Sequence, residues 1–209
     1  MGWRVNPHVY IYRAFDMGYF PDPAYCVWLA HLGDRYIAFK ERLWYKTVAS
    51  DIARDIKEDS DGMRTRMTFC DPTIDIRTGT DVRTIKDIFE EHGVPMECSV
   101  NNREHYAHAI HTALSEEAAP GVPRLQIYKA GCPYLIKTLP QQRYDPKRPL
   151  AMANHKHDHA AIALAYFLIS MGSMERKPLP EEKSRKLWMV PKARDRYVLG
   201  RDNMRRPRK

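Results

Sequence analysis

Three β-rich runs joined by short turns open the chain and restrict its fold more than any other feature. They are His8 to Phe15, Ala24 to Leu32 and Tyr36 to Trp44, each dense in β-branched and aromatic residues. Phe20-Pro21-Asp22-Pro23 marks the loop between the first and second, and Gly33-Asp34 is a tight-turn pair between the second and third. Connections this short suit antiparallel neighbours, so three antiparallel strands are expected. Beyond them the pattern changes. Thr47 to Asp59 carries Val48, Ile52, Ala53 and Ile56 at helical spacing, with Thr47 as N-cap. Arg66 to Cys70 reads as a strand closed by Asp71-Pro72, Asp81 to His92 as a helix ending at Gly93, and Pro95 to Val100 as another strand. Arg103 to Leu114 reads as a helix, Leu125 to Lys129 as a strand and Pro133 to Leu139 as a short helix. Asp158 to Met171 is an Ala-rich buried helix that Gly172 ends. Parallel pairs need such crossovers. The expectation is an α/β fold whose mixed sheet has three antiparallel strands followed by parallel strands, with helices on both faces.

Charge divides the chain. Residues 174–209 hold 13 of the 34 Lys and Arg but only 5 of the 26 Asp and Glu, so 21 of each sign precede them and the net +8 sits in the tail. That tail also contains Pro178, Pro180, Pro191 and Pro207, which sets the expected boundary between a domain at 1–172 and a basic segment at 173–209, ordered in part around Trp188. Its Lys183, Arg185, Lys186, Lys192, Arg194, Arg196, Arg201, Arg205, Arg206, Arg208 and Lys209 suit a phosphate backbone or an acidic partner surface; a solvated basic terminus is the plainer reading. No apolar stretch approaches the ~18 residues of a membrane span, and no signal-peptide core opens the chain, so a soluble intracellular protein without a membrane partner is expected. Cys26, Cys70, Cys98 and Cys132 contain no C-x-x-C pair and read as buried free thiols.

Three carboxylates fall where elements end: Asp16 after the first strand, Asp71 after the first crossover strand, Asp158 at the start of the last helix. In open sheets, sites gather at strand ends near a change of direction. Such a cluster suits two-metal phosphodiester hydrolysis, because hard divalent cations take oxygen ligands and two of them clamp the attacking and leaving oxygens. Asp16, placed centrally, would bridge both ions, with Asp71 and Asp158 holding one each. Taken singly, Asp71 before Pro72 is also a common turn, and Asp158 an ordinary helix-start residue.

The segments Phe15-Asp16-Met17-Gly18-Tyr19-Phe20-Pro21-Asp22-Pro23, Cys70-Asp71-Pro72 and Asp158 through Tyr166 resemble, in order and spacing, the nuclease half of tailed-phage large terminase subunits. Arg124 to Tyr128, Cys132-Pro133, Leu135-Ile136 and Tyr144-Asp145-Pro146 add to the likeness, which spans about residues 8 to 171. The resemblance implies a ribonuclease-H-like domain in the bacterial host cytoplasm, dependent on two Mg2+ or Mn2+ ions, that cuts double-stranded DNA at the start and end of viral genome packaging. It also implies as partners a packaging ATPase domain, a portal protein and a small terminase subunit. Met17 stands where that family commonly has Trp or Pro, and Ile162 where it has a second acid, which leaves Asp22, His157 or His159 to support the metal shell. No G-x-x-x-x-G-K-S/T loop occurs here, so the ATPase is expected elsewhere on a longer polypeptide or in trans.

Other readings compete. Asn154-His155-Lys156-His157-Asp158-His159 is one residue short of the dizinc motif of metallo-β-lactamase-like hydrolases, and no histidine follows His159, so His155 and His159 are expected at a surface loop or helix cap. His105, His108 and His111 recur every third residue, which suits a solvated helix flank better than one metal. A catalytically silent module docking on DNA or the portal through the tail, and a branched-DNA resolvase of the same fold, remain alternatives.

Overall fold

The computed structural model describes residues 8–77, 83–154 and 157–175. The basic tail and its named residues, Trp188, His155 and Asp81 lie outside them. Strands β1 (Tyr10–Asp16), β2 (Ala24–Leu32) and β3 (Arg35–Trp44) form the antiparallel meander that the opening runs predict. Next come α1 (Ala49–Asp59), β4 (Thr65–Cys70), a 3-10 turn at Pro72–Asp75, α2 (Ile85–Glu91), β5 (Met96–Cys98) and α3 (Arg103–Ser115). A hairpin of β6 (Glu117–Ala119) and β7 (Val122–Pro123) precedes β8 (Leu125–Ile127) and α4 (Pro133–Thr138). A second hairpin, β9 (Tyr144–Asp145) with β10 (Arg148–Met152), leads to α5 (His159–Glu175).

The main sheet runs β5-β4-β1-β2-β3-β8. β4 lies parallel to β1, β5 parallel to β4 and β8 parallel to β3, so the sheet is mixed in the expected way. The period of two along a strand divides its side chains between two cores. Tyr12 and Ala14 of β1 face α3, α4 and α5, whereas Ile11 and Phe15 face α1 and α2. Helices therefore cover both faces. α5 is the most apolar of them, with every residue from Ala160 to Leu168 buried, as a helix enclosed by neighbours requires. Ser99, just beyond β5, anchors it: its Oγ donates to the Tyr166 carbonyl at 3.1 Å and accepts from Ser170 Oγ at 3.0 Å.

Local chemistry moves several boundaries. Thr47 does not cap α1; its hydroxyl donates back to the Tyr45 carbonyl at 3.0 Å, and Val48 takes the cap position without a side-chain bond. α2 starts at Ile85 because Thr84 and Asp87 form a capping box, each side chain accepting the other's backbone N–H. Gly172 does not end α5, since Met171 and Met174 still pack on the core and carry the helix through the glycine to Glu175. Both small hairpins escape the sequence reading, being mostly exposed and too short for periodicity. Gly131 fits where no other residue would, because a Cβ there would run into the Phe39 carbonyl oxygen. All four cysteines are free, and Cys98 alone is partly exposed. Among the described residues no helix is long and apolar enough to cross a membrane.

Candidate active site

The sheet register brings the first two acids together. Ala14 of β1 lies opposite Phe69 of the parallel β4, so Asp16 and Asp71, each two residues further on, come level at the C-terminal ends of their strands. Both continue the face that packs against α5. Asp158 precedes α5 and its carbonyl accepts the Ile162 N–H at 2.8 Å, which sets it at the helix's first turn beside the strand ends. Asp16, Asp71 and Asp158 all line one open cavity of about 530 Å³, together with Asp22. From α5, His159, Ile162 and Tyr166 join the wall, spaced at i, i+3 and i+7 on one helical face. Asn101 and Arg103 enter from the segment after β5, and Tyr106 from the next turn of α3.

Each carboxylate is held by a different donor. Asp16, 8% exposed, meets His159 Nδ1 through Oδ2 at 2.5 Å. Asp71 accepts from the Thr73 N–H at 2.6 Å, the Tyr166 hydroxyl at 2.5 Å and Asn101 Nδ2 at 3.0 Å. Asn101 is itself oriented by the Tyr106 hydroxyl at 3.0 Å. Asp158, 2% exposed, accepts from Arg103 Nη1 at 3.1 Å. Burial raises the proton affinity of Asp16; the bond and charge of His159 oppose it, and the charges of Asp158 and Asp71 reinforce it. For His159, burial favours loss of the proton, but the bond and charge of Asp16, with Asp158 and Asp22, outweigh it and raise its pKa. Burial first, then the charge of Asp16 and the bond to Asp71, push the Tyr166 hydroxyl far above the ordinary phenol range, so it remains a donor.

Among the expected supporting residues, His159 lies in the cavity rather than at the surface, with its side chain 14% exposed and its Nε2 3.9 Å from Asp22 Oδ1. Asp22 sits on the rim, held there by a loop so tight at Gly18 that a Cβ would run into the Pro23 carbonyl oxygen. His157 is not one of the described residues lining the cavity; its carbonyl accepts from Gln142 Nε2 at 3.0 Å. Ile162, where the resembled family has an acid, forms an apolar part of the wall. His105, His108 and His111 are all exposed on α3. Arg103, Asn101, Tyr106 and Tyr166 have no functional place in the sequence reading. For Tyr166 the helical spacing from His159 was the available signal, and for Asn101 and Arg103 it was their position just after a parallel strand.

Among the described residues, no group of three or more His, Cys, Asp or Glu side chains stands ready to hold a metal ion. Asp16, Asp71 and Asp158 thus line one cavity without forming a finished ligand cluster, and each meets a different partner, His159, Tyr166 or Arg103. The chemistry of the donors nonetheless fits a hard divalent cation: four carboxylates share the cavity, and Asp71 and Asp158 repel the charge of Asp16 in a way a cation would relieve.

No protein-family model and no curated protein sequence matches the chain. Solved structures do. The nuclease domain of the phage P22 large terminase superposes with a TM-score of 0.63 at 12% identity, covering 81% of this chain and 85% of that one. This is the fold of a large terminase nuclease domain. It is ribonuclease-H-like, with the mixed sheet described above. The large terminase nuclease domain from bacteriophage SPP1, solved with bound Mn, matches at a TM-score of 0.53 and 20% identity, over 75% of this chain and 83% of that one. A large terminase from a thermophilic bacteriophage matches at a TM-score of 0.64 and 13% identity. That match covers 80% of this chain and 41% of the thermophilic phage protein, so the chain spans less than half of that relative's length.

Proposed function

We propose that this chain is a metal-dependent endonuclease that cuts double-stranded DNA during viral genome packaging. The observation that carries the reading is the convergence of Asp16, Asp71 and Asp158, from two strand ends and a helix start, on one open cavity in a large terminase nuclease fold. These three acids would hold two Mg2+ or Mn2+ ions, and the SPP1 domain's bound Mn makes Mn2+ a suitable first choice. When bound, such ions activate water as the nucleophile and stabilise the departing 3'-oxygen. The chain's own residues prepare the acids for that task. Tyr166 and Asn101 orient Asp71, His159 pairs with Asp16 Oδ2 and favours its ionised form, and Ile162 keeps one wall of the cavity apolar. The excess of basic residues after position 174 favours a second role that coexists with cutting, namely contact with DNA or with the portal. A packaging ATPase, in the same polypeptide or in trans, and a small terminase subunit complete the proposed assembly.

The test is nicking and linearisation of supercoiled plasmid with Mn2+, Mg2+ or EDTA. The expected result is cleavage that requires the divalent ion and is abolished in Asp16→Ala, Asp71→Ala and Asp158→Ala variants whose circular dichroism matches the parent. A variant that cuts at the parental rate overturns the site assignment, and parental protein that cuts equally well in EDTA overturns metal dependence. Preference for junctions over linear duplex would move the assignment to a resolvase.

A further inference from the structure

The cavity presents a charge problem. Four carboxylates line it, and on the nuclease reading it must admit a phosphodiester, which is also anionic. Among the described lining residues only Arg103 carries a permanent positive charge. Arg103 is the first residue of α3, and its Nη1 meets three acceptors: Asp158 Oδ2 at 3.1 Å and the carbonyls of Met152 and Ala153, both at 3.4 Å. A single nitrogen thereby fixes the plane of the guanidinium against the end of β10 and the start of α5. Nε and Nη2 make no hydrogen bond to the described residues, and the side chain remains 24% exposed. Together these two nitrogens form an edge of the planar fork that matches two oxygens of a phosphate.

We propose that Arg103 is a substrate ligand as well as a support for Asp158: Nη1 stays on the protein while the Nε and Nη2 edge binds the non-bridging oxygens of a DNA phosphate at the cavity. The inference rests on the nuclease reading and names the side chain of that site that receives the phosphate. It also accounts for an arginine where a lysine would satisfy Asp158 alone, since a lysine has no second edge to offer.

A phosphate contact is distinguished from simple support of Asp158 by the salt dependence of duplex binding, measured without divalent ions. An Asp158→Asn background is used so that removing Arg103 exposes no unpaired carboxylate. In that background Arg103→Gln should make the slope of log K against log salt shallower by about 0.9, the value for one phosphate contact, and weaken binding several-fold. With Asp158 intact, Arg103→Lys should keep the slope but lower the cleavage rate at saturating DNA by at least tenfold. An unchanged slope in Arg103→Gln, in protein whose parent cuts plasmid, overturns the Arg103 assignment alone. If the parent neither cuts nor binds duplex in a salt-dependent way, both this inference and the nuclease reading fall.

Discussion

Burial and pairing act against each other at Asp16 and His159. Burial raises the proton affinity of the carboxyl, yet the histidine beside it favours the ionised form. His159 is held above its ordinary value despite burial, chiefly through the Asp16 bond. A histidine with a raised folded pKa adds stability that is complete below its unfolded value of ~6.5 and is lost as pH rises through the folded value. Asp16, also raised, follows the same sign: its contribution is complete below ~3.9 and fades as pH rises through its folded pKa. In metal-free protein, Asp16→Asn should therefore lower the His159 pKa, because burial remains while the paired charge is gone; an NMR titration of the imidazole Cε1–H reads this directly. Titration at the parental pH would mean that Asp16 does not hold the proton there. At this scale the positions of the three acids were legible from the sequence, since turn residues and element boundaries mark the strand ends and the helix start. Their partners were not. Whether Arg103 meets Asp158, or Tyr166 meets Asp71, depends on how α3 and α5 lie across the sheet, and no local pattern encodes that.

Elements were read best where they are long and buried. β1 to β3 and α5 were legible because each is a long, largely apolar run, dense in β-branched and aromatic residues in the strands and in Ala in the helix, whereas β6, β7, β9 and β10 are short and largely exposed. Thr47 and Gly172 misled for a shared reason: capping and breaking preferences are weak beside a competing hydrogen bond or a packed helix end. α4 shows tertiary structure supplying what local sequence lacks. Its N-cap, Cys132, makes no side-chain capping bond, and Glu41 of β3 instead accepts the N–H groups of Tyr134 and Leu135. Gly131 lets this occur by allowing the chain to press against β3, where its carbonyl accepts the Glu41 N–H at 3.0 Å. Gly131→Ala should destabilise the protein by about 1–3 kcal/mol, the usual cost of overpacking, because the atom in the way is rigid backbone. Urea denaturation reads this as a lower midpoint with an unchanged slope. An unchanged midpoint would show that the α4 segment can back away from β3 without cost.

For the molecule as a whole, the division of charge is the feature that sequence alone makes plain. Residues 1–173 carry 21 Lys and Arg against 21 Asp and Glu, and the tail of residues 174–209 carries 13 against 5. If that tail binds phosphate, removing residues 176–209 should weaken duplex binding and flatten its salt dependence, while Asp16-dependent cutting at saturating DNA persists. Filter binding across a salt series measures the first, and plasmid nicking the second. Equal affinity and slope with and without the tail would leave it no part in holding DNA. The sheet carries a different consequence for how copies of the molecule meet. Its two outermost strands, β5 and β8, are three residues each, half the length or less of every strand between them. Margins so brief offer a neighbour few backbone groups to pair with. Copies of this domain set side by side therefore have little margin along which their sheets would fuse edge to edge into an aggregate.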